Sequence, residues 1–244
     1  MKMLRKKLLQ NDGMYGCEVS VVRIVFVRHG HPNYQLDCLT ELGRAQAQAA
    51  AHRIADEGIS EIFSSTCGRA LETAGYTANL LGLPIVPCDF MREIKWASKD
   101  ETVLFRDGNP WFIAWDTIEH GKTLLHKNWQ EQEPFCHSSV VDHYAAVSRA
   151  MDQWLLEQGY QREGEYYRVV GESTNRTVAI FSHGGSSSVV LSHMSNIPFP
   201  YFCGALPADF TAVTILRLSD QPGSLTGPRF EVVNDAHHIR KCTC

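Results

Sequence analysis

The sequence predicts an α/β fold: a three-layer α/β/α sandwich with a mostly parallel central sheet and a helical or irregular insertion. Two runs, VVRIVFV at 21–27 and TVAIF at 177–181, are β-branched and apolar without alternation, as strands buried on both faces require. Between them, strand-like and helix-like segments alternate across short loops, the pattern of a parallel sheet covered by helices. The 244 residues exceed the usual single domain but fit one α/β domain carrying an insertion.

The elements follow in order. Residues 1–20 open with a basic stretch and are expected to be a leader, with Met14 an alternative start. The single domain is expected to span 21–244. After the strand at 21–27 and a polar loop, Thr40 can cap an alanine-rich helix that runs to Glu57 and ends at Gly58. A short strand is expected at 62–64. Ala70, Leu71, Ala74, Ala78 and Leu81 then recur at helical spacing, and Gly82 closes that helix. Residues 84–87 give another short strand.

Residues 94–140 break the pattern. They carry Trp96, Trp111, Trp115 and Trp129 among many charges without a clean period, and are expected to form a cap folding over the edge of the sheet. An amphipathic helix returns at 140–158. The strand at 177–181 leads through Ser182-His183-Gly184-Gly185 into a helix ending at Ser195. Strands at 210–218 and 229–233 flank a Pro/Gly loop and suggest a hairpin.

Composition excludes several classes. A net charge of −4 argues against a nucleic-acid partner, so any positive charge that meets an anion must be local. Eight scattered cysteines without a C-x-x-C pair read as reduced thiols of a cytoplasmic protein. No apolar run reaches the length of a membrane span, so no membrane partner is expected.

In open α/β sheets, ligands bind beyond the carboxyl ends of the strands. Here those ends carry Arg28-His29-Gly30, then Ser64-Ser65-Thr66 leading to Arg69, then Arg92-Glu93, and finally Ser182-His183-Gly184-Gly185. Two histidines, two or three arginines and one carboxylate suit a phosphoryl group. Arginine offers a fixed fork of donors to phosphate oxygens. Each close charge pair is worth roughly 4 kcal/mol at an effective dielectric of about 20, before desolvation. Gly30 and Gly184 would let backbone N–H groups approach the anion, and a helix N-terminus after Gly185 adds a favourable dipole. A neutral imidazole is a competent nucleophile near pH 7. Glu93 is the one strand-end carboxylate that could protonate a departing oxygen.

The bland alternatives are weaker in combination. A lone histidine is more often a core residue satisfied by a carbonyl, but His29 has Arg28 beside it and His183 has two glycines after it. An arginine at a helix N-terminus, as Arg69 would be, is disfavoured by the dipole unless an anion is near. Glu93 could instead be a surface carboxylate paired with Arg92 or Lys95. Cys38 and Arg44 have the C-x5-R spacing of cysteine phosphatases, but Glu41 stands between them where backbone donors are needed. Gly121-Lys122-Thr123 mimics the end of a P-loop, yet Asp116 occupies the place of its first glycine. His183-Gly184-Gly185 has the look of an oxyanion loop, but no G-x-S-x-G elbow accompanies it. No histidine has convincing metal-ligand spacing; His237-His238 with Cys242 and Cys244 is the nearest to it.

Three segments carry a resemblance: Phe26-Val27-Arg28-His29-Gly30, then Ser64-Ser65-Thr66-Cys67-Gly68-Arg69-Ala70-Leu71-Glu72-Thr73-Ala74, and Phe181-Ser182-His183-Gly184-Gly185. In this order, with the helix opening Leu39-Thr40-Glu41-Leu42-Gly43-Arg44-Ala45-Gln46-Ala47, they resemble the signature segments of the histidine phosphatase superfamily (phosphoglycerate mutase-like), from about residue 21 to the end. The resemblance implies a metal-independent, cofactor-free phosphatase of the histidine acid type acting on a small phosphorylated metabolite. His29 would carry a phosphohistidine, Arg28, Arg69 and His183 would hold the phosphoryl oxygens, and Glu93 would act as acid and then as base. Two departures stand out. His31-Pro32-Asn33-Tyr34 follows where many relatives have Glu-Thr and a later Asn, and Met91-Arg92-Glu93-Ile94-Lys95-Trp96 lacks the fuller pattern around the acid. The rival expectations are phosphoglycerate mutase-type transfer and a catalytically silent module that binds a phosphorylated ligand.

Overall fold

The computed structural model describes residues 20–206 and 208–239; the leader, Met14, Cys242 and Cys244 lie outside the described residues. The first half contains β1 (Val21–Arg28), β2 (Pro32–Asn33), β3 (Cys38–Leu39), α1 (Glu41–Ile54), β4 (Ile59–Ser64), α2 (Gly68–Leu81), β5 (Ile85–Pro87) and α3 (Pro110–Glu119). The second contains α4 (Val140–Glu157), β6 (Tyr160–Glu163), β7 (Tyr166–Val169), β8 (Thr177–Ser182), α5 (Gly184–Ser195), α6 (Phe199–Ala205), β9 (Val213–Ser219), β10 (Leu225–Thr226) and β11 (Arg229–Asp235).

The central sheet has the order β11-β9-β1-β8-β4-β5. Its β1, β8, β4 and β5 are mutually parallel, and β9 and β11 extend it antiparallel beyond β1. The chain passes through α1 and α2 while stepping outwards from β1 to β4 to β5, then returns through α4 to place β8 between β1 and β4. Crossovers of parallel strands share a right hand, so reversing direction puts α4 on the opposite face from α1 and α2. The two cores agree. Val25 and Val27 of β1 pack with Ile54, Ala74 and Ala78, whereas Val22, Ile24 and Phe26 pack with Met151, Trp154, Leu155 and Val189. Burial on both faces is why β1 and β8 read as continuous apolar runs. The molecule is an α/β/α sandwich, as the sequence predicts.

Boundaries moved where hydrogen bonding overruled pattern. Thr40 caps α1 by accepting from the Gly43 N–H at 3.1 Å, but the regular helix stops at Ile54 and tightens into a 3-10 turn before Gly58, which sits at φ 73°. β4 begins three residues earlier than expected because Ile59 already pairs with Thr177 of β8. β9 and β11 pair antiparallel, while β10, in the connection between them, turns away to pair with β7. The β6–β7 hairpin is absent from the sequence reading. Its inward Tyr160 and Tyr167 are fully buried, but Gln161, Arg162, Glu163 and Arg168 dilute its apolar signal.

Residues 94–140 hold α3 and several 3-10 turns. Trp129 is a packing residue, with ring centroids 5.3 Å from Phe135 and 5.0 Å from Tyr144. Trp96 and Trp111 pack partly against the same core, and with Trp115 they border a cavity at the carboxyl end of the sheet. No helix among the described residues is long and apolar enough to cross a membrane.

Candidate active site

Strand register creates the site. Arg28 of β1 lies opposite Ser182 of β8, so His29 and His183 each stand one residue beyond the end of adjacent parallel strands. The His29 N–H donates to the Ser182 carbonyl at 2.9 Å. Neighbouring strands lie about 4.8 Å apart, and the two imidazole centroids are accordingly 5.1 Å apart, inclined at 62°. On the other side of β8, β4 delivers Ser65, whose N–H donates to the Phe181 carbonyl at 2.8 Å. Arg69 follows in the first turn of α2.

His29 is 1% exposed. Its Nδ1 bonds the Gly30 carbonyl at 2.7 Å, and a carbonyl only accepts, so the proton resides on Nδ1 and Nε2 keeps its lone pair. Arg69 Nε donates to that Nε2 at 3.3 Å. Burial, with Arg28 and Arg69 nearby, pushes the His29 pKa down to about 3 against the pull of the Gly30 carbonyl, so the ring is neutral. Burial and the charges of His29, Arg69 and Arg28 lower His183 to about 2.

His183 Nε2 lies 2.8 Å from Ser65 Oγ. Ser65 Oγ also accepts from the Cys67 N–H at 3.3 Å, and when its own proton goes to His183 Nε2 the imidazole proton sits on Nδ1. That Nδ1 is buried without a hydrogen-bond partner among the described residues, and so is Arg28 Nε. A buried donor left unpaired costs about 1–3 kcal/mol, so each atom favours an acceptor beside it. Arg28 is otherwise fixed by donating Nη1 to the Ala208 carbonyl and by the Phe210 ring, 4.3 Å from its guanidinium carbon. Phe210 also lies 5.8 Å from His29 and 5.3 Å from His31.

Arg69 donates Nη1 to Asp37, which also accepts the Gly68 N–H at 2.7 Å. Those bonds and the Arg69 charge hold the Asp37 carboxyl below the usual range despite partial burial, which acts in the opposite sense. Sequence reasoning missed Asp37, the stacking role of Phe210, and Tyr34, whose ring lies 5.5 Å from the Arg69 guanidinium carbon. Their partners are set by the β2–β3 turn and the loop before β9, neither of which has a periodic signature.

Glu93 follows β5 through a 3-10 turn at Asp89–Met91. Its Oε1 accepts from the Ile94 N–H at 3.0 Å and the Ser186 N–H at 3.1 Å. Burial raises its pKa, opposed by those amides, the Gly185 N–H and the Arg28 charge. Glu93 thus occupies the α5 N-terminus, where the sequence reading had placed the phosphoryl group. A Cβ on Gly185 would stand 2.5 Å from Glu93 Oε1, which explains that glycine.

Gly30 differs from expectation as well. Its N–H donates to Thr73 Oγ1 at 3.1 Å rather than towards the pocket, and its missing Cβ makes room for the Gly43 carbonyl, 2.5 Å from where a Cβ would sit. Gly184, the first residue of α5, lies against the Arg28 guanidinium. Arg92 sits on the exposed rim, donating to Thr66 Oγ1 at 2.9 Å.

A cavity of about 610 Å³ shares Arg28, Glu93 and Gly184 with this constellation and is lined as well by Tyr34, Trp96, Trp111 and Trp115. Among the described residues, one group has metal-ligand convergence: Glu133, Cys136 and His137, with ligand atoms within 4.8 Å of one another. It lies in the insertion and includes no candidate site residue. Its imidazole bridges the Asp100 and Glu133 carboxylates at 2.5 and 2.9 Å. The sequence reading found no such convergence although its three members lie within five residues, because it sought histidine pairs and this group holds a single histidine.

A lone pair on His29 Nε2, flanked by Arg28, Arg69 and the His183 Nδ1–H, suits a tetrahedral oxyanion with an electrophilic centre. Comparison with known proteins agrees. The family model described as "Histidine phosphatase superfamily (branch 1)" matches residues 24–229. A curated relative, "Probable phosphoglycerate mutase GpmB" of Yersinia pestis (strain Pestoides F), is 35% identical over 83 residues, 30% of this chain and 39% of the relative. The match therefore spans about two fifths of the relative's length. Among solved structures, an Entamoeba histolytica phosphoserine phosphatase in complex with phosphoserine superposes with a TM-score of 0.59 at 21% identity, covering 89% of this chain and 98% of the other. The mycobacterial glucosyl-3-phosphoglycerate phosphatase in complex with VO3 gives 0.56 at 21% identity, covering 87% and 98%. These two likenesses speak for the fold, and the family model for the lineage: the chain belongs to the histidine phosphatase superfamily.

Proposed function

We propose that this enzyme hydrolyses a small phosphomonoester by way of a phosphohistidine on His29. The observation that carries the reading is the His29 Nε2 lone pair within reach of Arg69 Nε and beside the unpaired donors of Arg28 and His183. His29 Nε2 attacks phosphorus, and the P–O bond to the alcohol breaks. The alcohol oxygen takes a proton from Glu93, whose raised pKa favours the protonated form. The resulting carboxylate then accepts a proton from water as water attacks the phosphohistidine, returning neutral His29 and free phosphate. Arg28, Arg69 and the His183 Nδ1–H hold the equatorial oxygens, where a preorganised donor is commonly worth 10²–10³-fold.

A second reading, transfer of the phosphoryl group to another hydroxyl, is favoured by the curated relatives named as probable phosphoglycerate mutases. The cavity speaks against a phosphoglycerate as the partner of that transfer. Arg28 is the one cation among the described residues lining it, which leaves no further charge to hold the carboxylate of a phosphoglycerate.

The experiment is rapid alkaline quench with a labelled aryl phosphate. A base-stable, acid-labile label on the wild type, absent in His29→Asn together with a loss of about 10³-fold or more in kcat/KM, is expected. Turnover within tenfold of wild type in that variant removes His29 from the nucleophile role. With unlabelled phosphoglycerate added as acceptor, partition of label between free phosphate and that acceptor separates hydrolysis from mutase-type transfer. Vanadate binding without turnover of any ester would leave a silent binding module.

A further inference from the structure

We infer that the alcohol part of the substrate is a bulky, uncharged group with a flat aromatic face. The inference rests on the phosphoryl-transfer reading and names its substrate class. The cavity beside Glu93 measures about 610 Å³, within the roughly 300–1,000 Å³ that accommodates drug-sized ligands. A three-carbon acid would leave most of it empty. Its lining includes four aromatic rings, Tyr34, Trp96, Trp111 and Trp115, together with the small or apolar run from Cys203 to Leu206.

The exposure of these rings points to an occupant. Tyr34 is 67% and Trp115 53% exposed, although both could bury much apolar area. Trp96 and Trp111 meet edge to face with centroids 5.8 Å apart, a rigid corner rather than a loose pair. Polar capacity is sparse. The Asn109 carboxamide oxygen already caps α3 through the Trp111 and Phe112 N–H groups, at 3.0 and 3.3 Å. A carboxylated tail would lose hydration here with no countercharge beyond Arg28 among the described lining residues. With Arg28 directed to the phosphoryl group, a second anion would meet no countercharge among the lining residues described.

The test compares 2-(1-naphthyl)ethyl phosphate, ethyl phosphate and 3-phosphoglycerate. The first two are alkyl esters of similar leaving ability, so their ratio reports the tail. The naphthyl ester is expected to exceed ethyl phosphate in kcat/KM by about 100-fold and to exceed 3-phosphoglycerate. Trp111→Ala should narrow the first ratio about tenfold. Trp115→Arg, at a half-exposed position that tolerates charge, should shift preference towards 3-phosphoglycerate. Equilibrium binding of the matching naphthylethyl and ethyl phosphonates gives an arm independent of turnover.

A naphthyl-to-ethyl ratio under threefold, or a wild-type preference for 3-phosphoglycerate, overturns the inference while His29-dependent turnover keeps the proposed function. Trp111-dependent phosphonate binding without turnover of any ester keeps the inference and overturns the function. Failure of both arms overturns both.

Discussion

The hydrogen bond between His29 Nδ1 and the Gly30 carbonyl decides which nitrogen can attack. Burial then keeps the ring neutral down to about pH 3, so protonation of the nucleophile limits the rate only in strong acid. On the proposed mechanism the alkaline limb belongs to Glu93. It must hold a proton when the ester binds, and its pKa is raised, so kcat should fall as pH climbs through that raised value. Glu93→Gln should flatten this limb and slow poor leaving groups more than nitrophenolate. An unchanged limb in that variant would transfer the acid role to another group. Asp37 yields a separate expectation. It acts through Arg69 rather than on substrate, so Asp37→Ala should cut kcat/KM by about ten- to a hundredfold while leaving the Glu93 limb in place. Kinetics within twofold of wild type would make the Asp37–Arg69 pair merely structural. His29, His183, Arg28 and Arg69 were legible because each follows a readable strand in a short motif. Asp37 was not, since nothing local in Gln35-Leu36-Asp37-Cys38 marks a carboxylate that bonds thirty-two residues ahead.

At the scale of elements, α5 spends its N-terminal amides on Glu93 rather than directly on a ligand, joining an acid from the β5 side of the sheet to the strand that bears His183. The junction tolerates no side chain. In Gly185→Ala the new Cβ would lie 2.5 Å from both Glu93 Oε1 and Ile94 Cγ1. The carboxyl must then swing away and lose the Ser186 and Gly185 amides, which stabilise its ionised form. The variant should remain folded, lose at least about tenfold in kcat, and carry its alkaline limb to higher pH; a limb at the wild-type position would show that Glu93 keeps its amides. Continuous apolar runs made β1 and β8 legible, and glycines marked the ends of α1 and α2. The β6–β7 hairpin and α6 escaped because one is mostly polar outside Val169 and its tyrosines, of which Tyr166 faces solvent, and the other is only seven residues long.

For the whole molecule, the strand order carries a cost. Returning β8 to the slot beside β1 sets two imidazoles together under arginines, in surroundings that resist charging. In the unfolded chain both titrate near 6.5; in the folded chain they do so at about 3 and about 2. Below pH 6.5 the unfolded state therefore binds protons that the native state refuses, and stability present at neutral pH drains away as pH falls towards 3. The slope tends to about 1.4 kcal/mol per pH unit for each histidine. His238, lowered chiefly by burial, adds in the same sense, whereas Glu93, with its raised pKa, works against it. His137, raised by Asp100 and Glu133, also opposes it, but in solvent such a pair contributes little. Wild-type minus variant isolates the site: in His183→Gln the fall of unfolding free energy between pH 6 and pH 5 should be about 1 kcal/mol shallower. Equal slopes in urea titrations at those two pH values would mean that His183 charges without penalty, and that the packing of paired rings at the strand ends is looser than 5.1 Å implies.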